Sequence, residues 1–271
     1  MNYPKISIVT PSFNQAQFLE KSILSVINQN YPNLEYIIID GGSTDGSTDI
    51  IKKYEKNLTY WVSEKDSGQS EALNKGFEKC TGEIQAYLNS DDIILNGILE
   101  KVGSVFLNFP EVDFVYGHTF VINEFDDILK LSIALPYKLK ENLNGVFSIP
   151  QQSAFWKKWI YDEVDGFNIN NHSCMDGEFF AYVGTLNTTF HLIDEPLSAF
   201  RLHSNSKTMD KKKYSKEIYT KDHYEYIEKI KNRSGISTNS VLKYYYRLKY
   251  YPYKFYKRLI YKDRLSEKVN I

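Results

Sequence analysis

The sequence predicts an α/β protein in which a mixed, mainly parallel sheet is flanked by helices. Strand-like and helix-like segments alternate through the first 110 residues, and this order is typical of parallel sheets covered by helices on both faces. Several strand-like segments end in acidic or glycine-rich turns, at the position where open α/β sheets bind ligands. At 271 residues the chain is long enough to bury a core without disulfides.

Hydrophobic periodicity gives the position of each element. Short apolar runs predict strands at residues 5–10, 36–40, 58–62 and 84–88, and helical spacing predicts helices at residues 16–28, 47–54, 70–79 and 97–109. After residue 110 the order changes. Extended segments are predicted at 114–117, 119–122, 129–133, 190–193 and 197–202, with one short helix at 177–183. The second half of the domain is therefore expected to be mixed rather than parallel.

Charge divides the chain near residue 210. Residues 1–210 carry 16 Lys and Arg against 28 Asp and Glu, a net charge of −12, whereas residues 211–271 carry 17 against 6, a net charge of +11. The second part also holds 12 of the 22 tyrosines. We therefore predict a domain over residues 1–210 and a basic, Tyr-rich, helical extension over residues 211–271.

The sequence shows no targeting or membrane-spanning segment. The N-terminal residues lack the basic and apolar regions of a secretory signal. No run of about 18 apolar residues could cross a bilayer. A cytoplasmic location is predicted, with peripheral attachment to the inner face of the plasma membrane as an open alternative.

Carboxylates collect at the predicted strand ends. Asp40 follows the second strand, Asp66 the third, and Asp91 and Asp92 the fourth. Carboxylates gathered on one rim repel one another unless a cation is present, and their oxygens suit Mg²⁺ or Mn²⁺. The turn at residues 41–48 lacks the lysine of a P-loop and does not match a calcium loop. Its Ser and Thr residues have an alternative role as helix caps. The rim therefore predicts a divalent cation held with a nucleotide diphosphate.

Six segments together resemble the family 2 glycosyltransferases, which have the GT-A fold. They occur in family order at residues 7–14, 39–47, 66–76, 89–92, 175–176 and 201–203. Each motif alone is weak evidence, but the set covers about the first 210 residues. The resemblance implies a GT-A domain with a nucleotide-binding half in residues 1–110 and an acceptor-binding half in residues 111–210.

The resemblance also implies roles for individual residues. The implied donor-binding residues are Thr10, Pro11, Ser12, Phe13, Asn14, Asp40, Asp66, Asn74, Asp91 and Arg201. Asp92 and His203 are the implied ligands of Mn²⁺ or Mg²⁺, although His203 also suits a capping or core role. Gln152 and Trp156 are expected on the acceptor side, where Trp156 could stack on a sugar ring.

The implied reaction needs a general base, because an acceptor hydroxyl must lose its proton as it attacks the anomeric carbon. Asp176 is the predicted base, with a compatible N-cap role, and Glu178 is the second choice. The family implies inversion, with a UDP-sugar as the preferred donor and a glycan or lipid-linked hydroxyl as the acceptor. The alternatives are a non-catalytic nucleotide-sugar-binding protein and a nucleotide-sugar hydrolase or nucleotidyltransferase.

The extension contains a basic aromatic segment, residues 243–262, with seven Lys or Arg and no acidic residue. It could lie on an anionic membrane surface with its aromatic rings at headgroup level. It could also pack as helices on the acidic domain. Nucleic-acid binding through phosphate contacts and base stacking is the third and least favoured interpretation, and no nucleic acid is expected.

Overall fold

A computed structural model describes residues 3–204, 206, 216–265 and 267–269. The predicted boundary near residue 210 lies outside these described residues. Within them, nine strands form one sheet: β1 (Ile6–Ser12), β2 (Leu34–Asp40), β3 (Tyr60–Ser63), β4 (Ile84–Tyr87), β5 (Ile93–Ile94), β6 (Phe114–Ile122), β7 (Ile128–Ser132), β8 (Ala154–Lys157) and β9 (Phe190–Arg201). The helices are α1 (Ala16–Ile27), α2 (Ser47–Lys53), α3 (Gln69–Phe77), α4 (Ile98–Asn108), α5 (Leu139–Leu143), α6 (Lys158–Val164), α7 (Met175–Val183), α8 (Lys216–Ser234), α9 (Ser240–Lys249) and α10 (Tyr251–Ile260).

The sheet is parallel in its first half and mixed in its second, as predicted. Its strand order is β3-β2-β1-β4-β8-β6-β9-β5, and β7 pairs with β6. β1 runs parallel to β2 and β4, and β2 runs parallel to β3. β8 is antiparallel to both β4 and β6, whereas β9 is parallel to β6. The carboxyl ends of β1 to β4 therefore share one edge.

Helices cover both faces of the sheet because its central strands are apolar on both sides. Alternate residues of a strand point to opposite faces. Ile8 accordingly packs with Leu19 of α1 in one buried cluster, while its neighbour Val9 packs with Phe77 of α3 in the other. Gly76 allows α3 to approach the sheet closely, since a Cβ there would lie 2.3 Å from Val9 Cγ1.

Some elements differ from the sequence prediction. The predicted segments 114–117 and 119–122 form one strand, β6, and 190–193 and 197–202 form one strand, β9. The β6–β9 register shifts around residues 117–119, which explains why the apolar pattern looks interrupted there. The short strands β5 and β8 were not predicted, because two to four residues carry little periodic signal.

The C-terminal extension is helical, and one face of it packs on the domain. Tyr226 and Ile230 of α8 are buried in a cluster with Ala181 of α7. Tyr246 of α9 is buried against a cluster that includes Phe120 of β6. Among the helices that the structure describes, none has the length and apolar character needed to span a bilayer.

A buried histidine lies where α10 meets the sheet. His118 of β6 is fully buried; its Nδ1 accepts a hydrogen bond from the Ala134 amide at 3.2 Å, and its Nε2 lies 3.3 Å from Asp194 Oδ1. Asp194 is itself paired with Lys257 of α10 at 2.5 Å. Burial lowers the pKa of His118 to about 4, and the nearby Asp194 opposes this only in part.

This histidine should make stability depend on pH. The unfolded chain takes up a proton at about pH 6.5, whereas folded His118 resists protonation until about pH 4. As pH falls through this window, the wild type should lose up to about 3 kcal/mol of unfolding free energy relative to His118→Asn, whose amide can still accept from Ala134. Urea unfolding of both proteins at several pH values would measure this. Parallel profiles would contradict the prediction.

Candidate active site

Two loops at the shared strand edge are fastened to each other. Asp40 ends β2 and is fully buried, and its carboxylate accepts hydrogen bonds from the amides of Gly42 and Ser43 and the hydroxyls of Ser43 and Ser63. These contacts order the glycine-rich turn that follows β2. The Asp40 carboxylate thus holds this turn in place, and its direct contact with a nucleotide stays a prediction.

The β1–α1 loop contacts the same turn. Asn14, whose φ is 51°, donates its amide to Ser43 Oγ at 2.8 Å and accepts from the Thr44 amide at 3.0 Å. Asp45 Oδ2 accepts from the Ala16 amide at 2.8 Å. Burial would raise the pKa of Asp45, but hydrogen bonds from the Ser47 hydroxyl and the Ala16 amide outweigh it and lower the pKa. Asp45 therefore stays ionised and links the two loops.

The remaining predicted nucleotide residues lie at the end of β1. Thr10 is buried, and its hydroxyl lies 3.1 Å from Tyr36 Oη. Pro11 and Ser12 pair with Ile39 and Asp40 in the parallel ladder. Ser12 Oγ is buried without a hydrogen-bond partner among the described residues, and the next side chain, Phe13, is 59% exposed. An unpaired hydroxyl beside an exposed ring is consistent with a ligand-binding position.

Asp66 lies against the glycine-rich turn. Its Oδ1 accepts from the Gly68 amide at 2.9 Å, and a Cβ on Gly41 would come within 2.8 Å of its Oδ2. Burial raises the pKa of Asp66, and the charges of Glu71 and Asp40 add to this effect. The absence of a side chain at Gly41 thus sets the position of this carboxylate.

Substitution of Gly41 should affect donor binding. Gly41→Ala would displace the Asp66 carboxylate, so we expect nucleotide affinity to fall about tenfold or more, measured by calorimetric titration. Gly103→Ala provides the control. Its Cβ would lie 2.4 Å from Tyr31 Oη on the opposite side of the sheet, so it should lower stability by about 1–3 kcal/mol without changing nucleotide affinity. Equal nucleotide affinity in both variants would argue against the proposed position of the donor.

Asp92, like Asp40, is a fully buried acid of the site. It is fully buried after β4, where Oδ1 accepts from the Arg201 amide at 2.9 Å and Oδ2 from Asn89 Nδ2 at 3.1 Å. The side chain of Gln152 also hydrogen-bonds to it. Burial, followed by the charge of Asp91, raises the pKa of Asp92 well above its usual range despite these hydrogen bonds. The ionised carboxylate is therefore costly until a positive charge is placed beside it.

Asp91 and His203 complete this cluster, and Asp91 is partly exposed whereas His203 is buried. His203 Nε2 lies 3.0 Å from Asp91 Oδ2, and the ring packs on Phe18 with 4.6 Å between centroids. Arg201 lies behind them, fully buried; its Nε donates to the Asp91 carbonyl at 2.9 Å, and its Nη1 pairs with Asp126 at 2.6 Å. Arg201 was predicted to bind the donor, but its placement indicates that it holds the 91–92 turn from behind.

The predicted metal ligands, Asp92 and His203, both neighbour Asp91 but do not form a complete cage. In the part of the chain that the structure describes, no three His, Cys, Asp or Glu side chains are arranged to hold a metal. Mg²⁺ is commonly held by one or two carboxylates together with substrate phosphates. The raised pKa of Asp92 and the neighbouring Asp91 and His203 fit such a site.

Asp176 is brought to the same rim by α7. It lies in the first turn of this helix, which begins at Met175, and Ser70 at the start of α3 contacts Met175 Sδ at 2.8 Å. Tyr87 of β4 connects Asp176 to the metal cluster electrostatically, because burial and then the charges of Asp176 and Asp92 raise its pKa. The predicted base, Asp176, and the predicted metal ligand, Asp92, thus both raise the pKa of the Tyr87 phenol.

Glu178, the second choice for the base, is already engaged in hydrogen bonds with neighbouring side chains. It is buried, and its carboxylate accepts from the side-chain amides of Asn168, at 3.0 and 3.1 Å, and Asn171, at 2.7 Å. Lys229 of α8 lies 3.6 Å away. These contacts indicate that Glu178 fastens the α6–α7 connection, and they favour Asp176 as the base.

Two predicted site residues are placed elsewhere by the structure. Trp156 is fully buried in the aromatic core, with its ring centroid 5.1 Å from that of Phe179. The prediction that it stacks on an acceptor sugar is therefore wrong. Asn74 accepts from Tyr161 Oη and the Phe167 amide at 2.9 Å and donates to the Phe167 carbonyl at 2.8 Å. These bonds hold the α6–α7 connection on α3 and argue against a donor contact.

Three polar residues of the site were missed by sequence reasoning. Gln69 Nε2 donates to Asn89 Oδ1 at 2.6 Å, and Gln151 lies 3.3 Å from Asn89 Nδ2 while donating to the Tyr87 carbonyl. Asp126 pairs with both Arg201 and Lys21. The glutamines lie within motifs already noted, but Asp126 lies in a surface turn with no local signal.

The sheet order, the two fastened loops and the buried carboxylate cluster define a GT-A glycosyltransferase fold. The structure of S. aureus TarS 1-349 in complex with UDP-GlcNAc superposes with a TM-score of 0.66 and 16% sequence identity, covering 88% of this chain and 69% of that one. A mannosyltransferase, PcManGT from Pyrobaculum calidifontis, in complex with GDP-Man and Mn²⁺, gives a TM-score of 0.58 and 17% identity over 76% of this chain and 59% of that one.

The chain belongs to glycosyl transferase family 2, whose model matches residues 7–167. It is 40% identical over 101 residues to the putative teichuronic acid biosynthesis glycosyltransferase TuaG of Bacillus subtilis, a match that covers 36% of this chain and 40% of TuaG. An uncharacterized glycosyltransferase of Haemophilus influenzae is 42% identical over 104 residues, covering 37% and 42% of the two chains. The matched segments thus span about two fifths of these relatives.

Proposed function

We propose that this protein transfers a sugar, with inversion, from a UDP-sugar to a hydroxyl of a glycan or lipid-linked acceptor during surface polysaccharide biosynthesis. The observation that carries the proposal is the fully buried carboxylate of Asp92 beside that of Asp91, on the same rim as Asp176 and the two joined donor loops. Relatives support the substrate class, since TarS has been crystallised with UDP-GlcNAc and TuaG is assigned to teichuronic acid biosynthesis.

On the donor side, the loops at residues 12–16 and 41–47 form a wall for the nucleotide. Ser12 Oγ, without a partner among the described residues, and the exposed ring of Phe13 offer a hydrogen bond and a stacking surface for a base. Asp66 and Asp91 offer acceptors for sugar hydroxyls. Asp40 keeps the 41–47 loop in place from beneath.

Asp92 and His203 would hold Mn²⁺ or Mg²⁺, with Asp91 beside them. When bound, the cation supplies a positive charge that offsets the charge developing on the departing diphosphate. Asp176 accepts the proton of the acceptor hydroxyl as that oxygen bonds to the anomeric carbon. A single displacement of this kind inverts the anomeric centre and needs no covalent enzyme intermediate. Gln152, which belongs to the acceptor half, hydrogen-bonds to Asp92 and orients its carboxylate.

The acceptor is proposed to be lipid-linked and to meet the enzyme at the cytoplasmic leaflet. The acceptor half is built partly from the extension, because Asp222 of α8 accepts from the Ser173 hydroxyl at 2.6 Å, three residues before Asp176. The extension therefore packs beside the proposed catalytic helix, and residues 243–262 supply its cationic surface.

Titration calorimetry with UDP, GDP and CDP, each with and without Mn²⁺, tests the donor site first. Metal-dependent binding of UDP supports the proposal, and a panel of UDP-sugars with product analysis by NMR then gives the sugar and its anomeric configuration. Release of free sugar or of pyrophosphate without any acceptor dependence would instead favour a hydrolase or nucleotidyltransferase. Binding without turnover of any donor would favour a non-catalytic protein.

A further inference from the structure

The last two described helices, α9 and α10, have two distinct faces. Their inner face holds them on the domain through buried Tyr246 and through two ion pairs, Lys249 with Glu141 at 2.8 Å and Lys257 with Asp194 at 2.5 Å. These two cations are therefore already used for packing. From composition alone, Lys249 and Lys257 cannot be distinguished from the cations of the segment that face outward.

The outer face of α9 is an apolar stripe. Tyr244 and Tyr245 follow Val241 by three and four residues, and Leu248 follows them by four and three, which places these side chains on one side of the helix. All four are strongly exposed, and Leu248 is 74% exposed. A stripe of this kind is normally buried against something.

The outer face of α10 continues the pattern. Tyr251, Phe255 and Leu259 recur at intervals of four residues, and each is more than half exposed. Exposed Lys243, Arg258 and Lys262 are interspersed with this surface, and the sequence has no acidic residue from 240 to 262. We call these outward side chains of residues 241–262 the outer face.

We propose that the outer face is a docking surface for an anionic lipid bilayer, with the apolar stripes inserted at headgroup depth and the cations against lipid phosphates. This deepens the proposed function by assigning lipid contact to one face and domain packing to the other. Interfacial helices combine apolar and basic side chains in this way, and each cation near an anionic surface adds to binding.

The composition disfavours the other occupants of this face. A symmetric dimer would place the outer face of one copy on that of another, and the shared positive charge would then repel because no acidic residue lies among the cations. A nucleic acid would use the cations and tyrosines, but aliphatic Val241, Leu248 and Leu259 offer nothing for base stacking. The hydrocarbon of a bilayer accommodates all three of these aliphatic side chains.

The helices that carry the outer face pack, through their inner face, on the half of the domain that contains the proposed acceptor side. The amide of Asn239, which caps α9, donates to Asn144 Oδ1 at 2.8 Å, and Lys249 pairs with Glu141 of α5. The segment after α5 leads directly to Gln151 and Gln152 beside Asp92. Docking through this face would therefore place a membrane next to the acceptor-binding half.

Vesicle flotation with the full chain tests the inference. We expect binding to vesicles of phosphatidylglycerol with phosphatidylcholine, weakened by salt, and little binding to phosphatidylcholine alone. The double variant Leu248→Glu/Phe255→Glu should bind at least about tenfold more weakly, because it places charge where hydrocarbon contact is expected. The matched control Leu107→Glu/Trp159→Glu alters two exposed apolar residues of α4 and α6 and should bind like the wild type.

Two further measurements keep the result interpretable. Thermal unfolding should be alike in wild type and the Leu248→Glu/Phe255→Glu variant, since the substituted side chains face outward, and UDP titration should be unchanged. The proposal would be overturned if the Leu248→Glu/Phe255→Glu variant bound anionic vesicles as tightly as the wild type. It would also be overturned if the wild type were a dimer and the variant a monomer. If the wild type did not bind UDP, this would count against the proposed function but not against lipid docking.

Discussion

Asp92→Asn is expected to lower kcat/KM by at least about 1000-fold, equivalent to about 4 kcal/mol of transition-state stabilisation. Asp92 is the fully buried carboxylate of the site, and it is held by the Arg201 amide and Asn89. An amide in its place cannot offer the negative charge that a divalent cation requires. Steady-state kinetics with a UDP-sugar, with Mn²⁺ or Mg²⁺ present, would measure the loss.

The same substitution should leave folding intact. Because the folded-state pKa of Asp92 is raised, its stabilising contribution is present below the ordinary aspartate pKa and is lost as pH rises through the folded-state value. At neutral pH without metal, the neutral side chain removes the cost of the buried charge, but its amide group faces the donor Asn89 Nδ2, which costs about 1–3 kcal/mol. Because these two effects oppose each other, Tm should stay within a few degrees of the wild type. Asp162→Asn, an exposed position of α6, is the control and should retain activity. A lower Tm with preserved activity would show that Asp92 is structural.

Metal and donor together should stabilise the wild type but not the Asp92→Asn variant. A ligand that binds only the folded state raises stability by about 2.7 kcal/mol when its concentration is 100 times its Kd. Thermal unfolding with UDP and Mn²⁺ should therefore shift upward for the wild type and stay unchanged for Asp92→Asn. An equal shift in both proteins would place the metal elsewhere.

Asp176→Asn is expected to lower kcat by about 100- to 10,000-fold while leaving donor affinity unchanged. The asparagine keeps the shape of the side chain in the first turn of α7 but cannot take the proton of the acceptor hydroxyl. Donor Kd from calorimetry and kcat from product formation separate these two effects. A change in donor Kd with preserved kcat would assign Asp176 to binding instead.

Glu178→Gln is the matched control, two residues further along the same helix. Glu178 is buried and receives hydrogen bonds from Asn168 and Asn171, so an amide there leaves donors facing one another. We expect a loss of about 1–3 kcal/mol in unfolding free energy, with kcat within about tenfold of the wild type at a temperature where the variant is folded. If Glu178→Gln abolished kcat and Asp176→Asn did not, the roles of the two acids would be reversed.

Much of the fold could be predicted because its signals are local. The apolar runs and helical spacing of the first 110 residues locate β1 to β4 and α1 to α4 within a few residues, since each buried face repeats with the period of its own element. The second half was harder. β8 has four residues and β5 has two, and a break in register around Gly117 made one strand look like two.

The candidate site shows the same division. Carboxylates at strand ends made Asp92 a candidate and the family resemblance made Asp176 one, and the structure brings both near Tyr87. The sequence could not separate Asp176 from Glu178, because both lie in one acidic turn and only packing shows that Glu178 is engaged. It also placed Trp156 on the acceptor side, since an aromatic residue near a site looks the same whether it is exposed or buried.

The sequence by itself determined the α/β class, the acidic rim and the opposite charge of the two parts of the chain, because composition and periodicity are properties of neighbouring residues. Tertiary structure alone decided which polar groups are already satisfied. In the structure, Asn74 and Glu178 hold the α6–α7 connection through hydrogen bonds. Residues 240–262 have one face packed on the domain and one exposed face. Burial and hydrogen bonding are set by distant parts of the chain, so no local pattern encodes them.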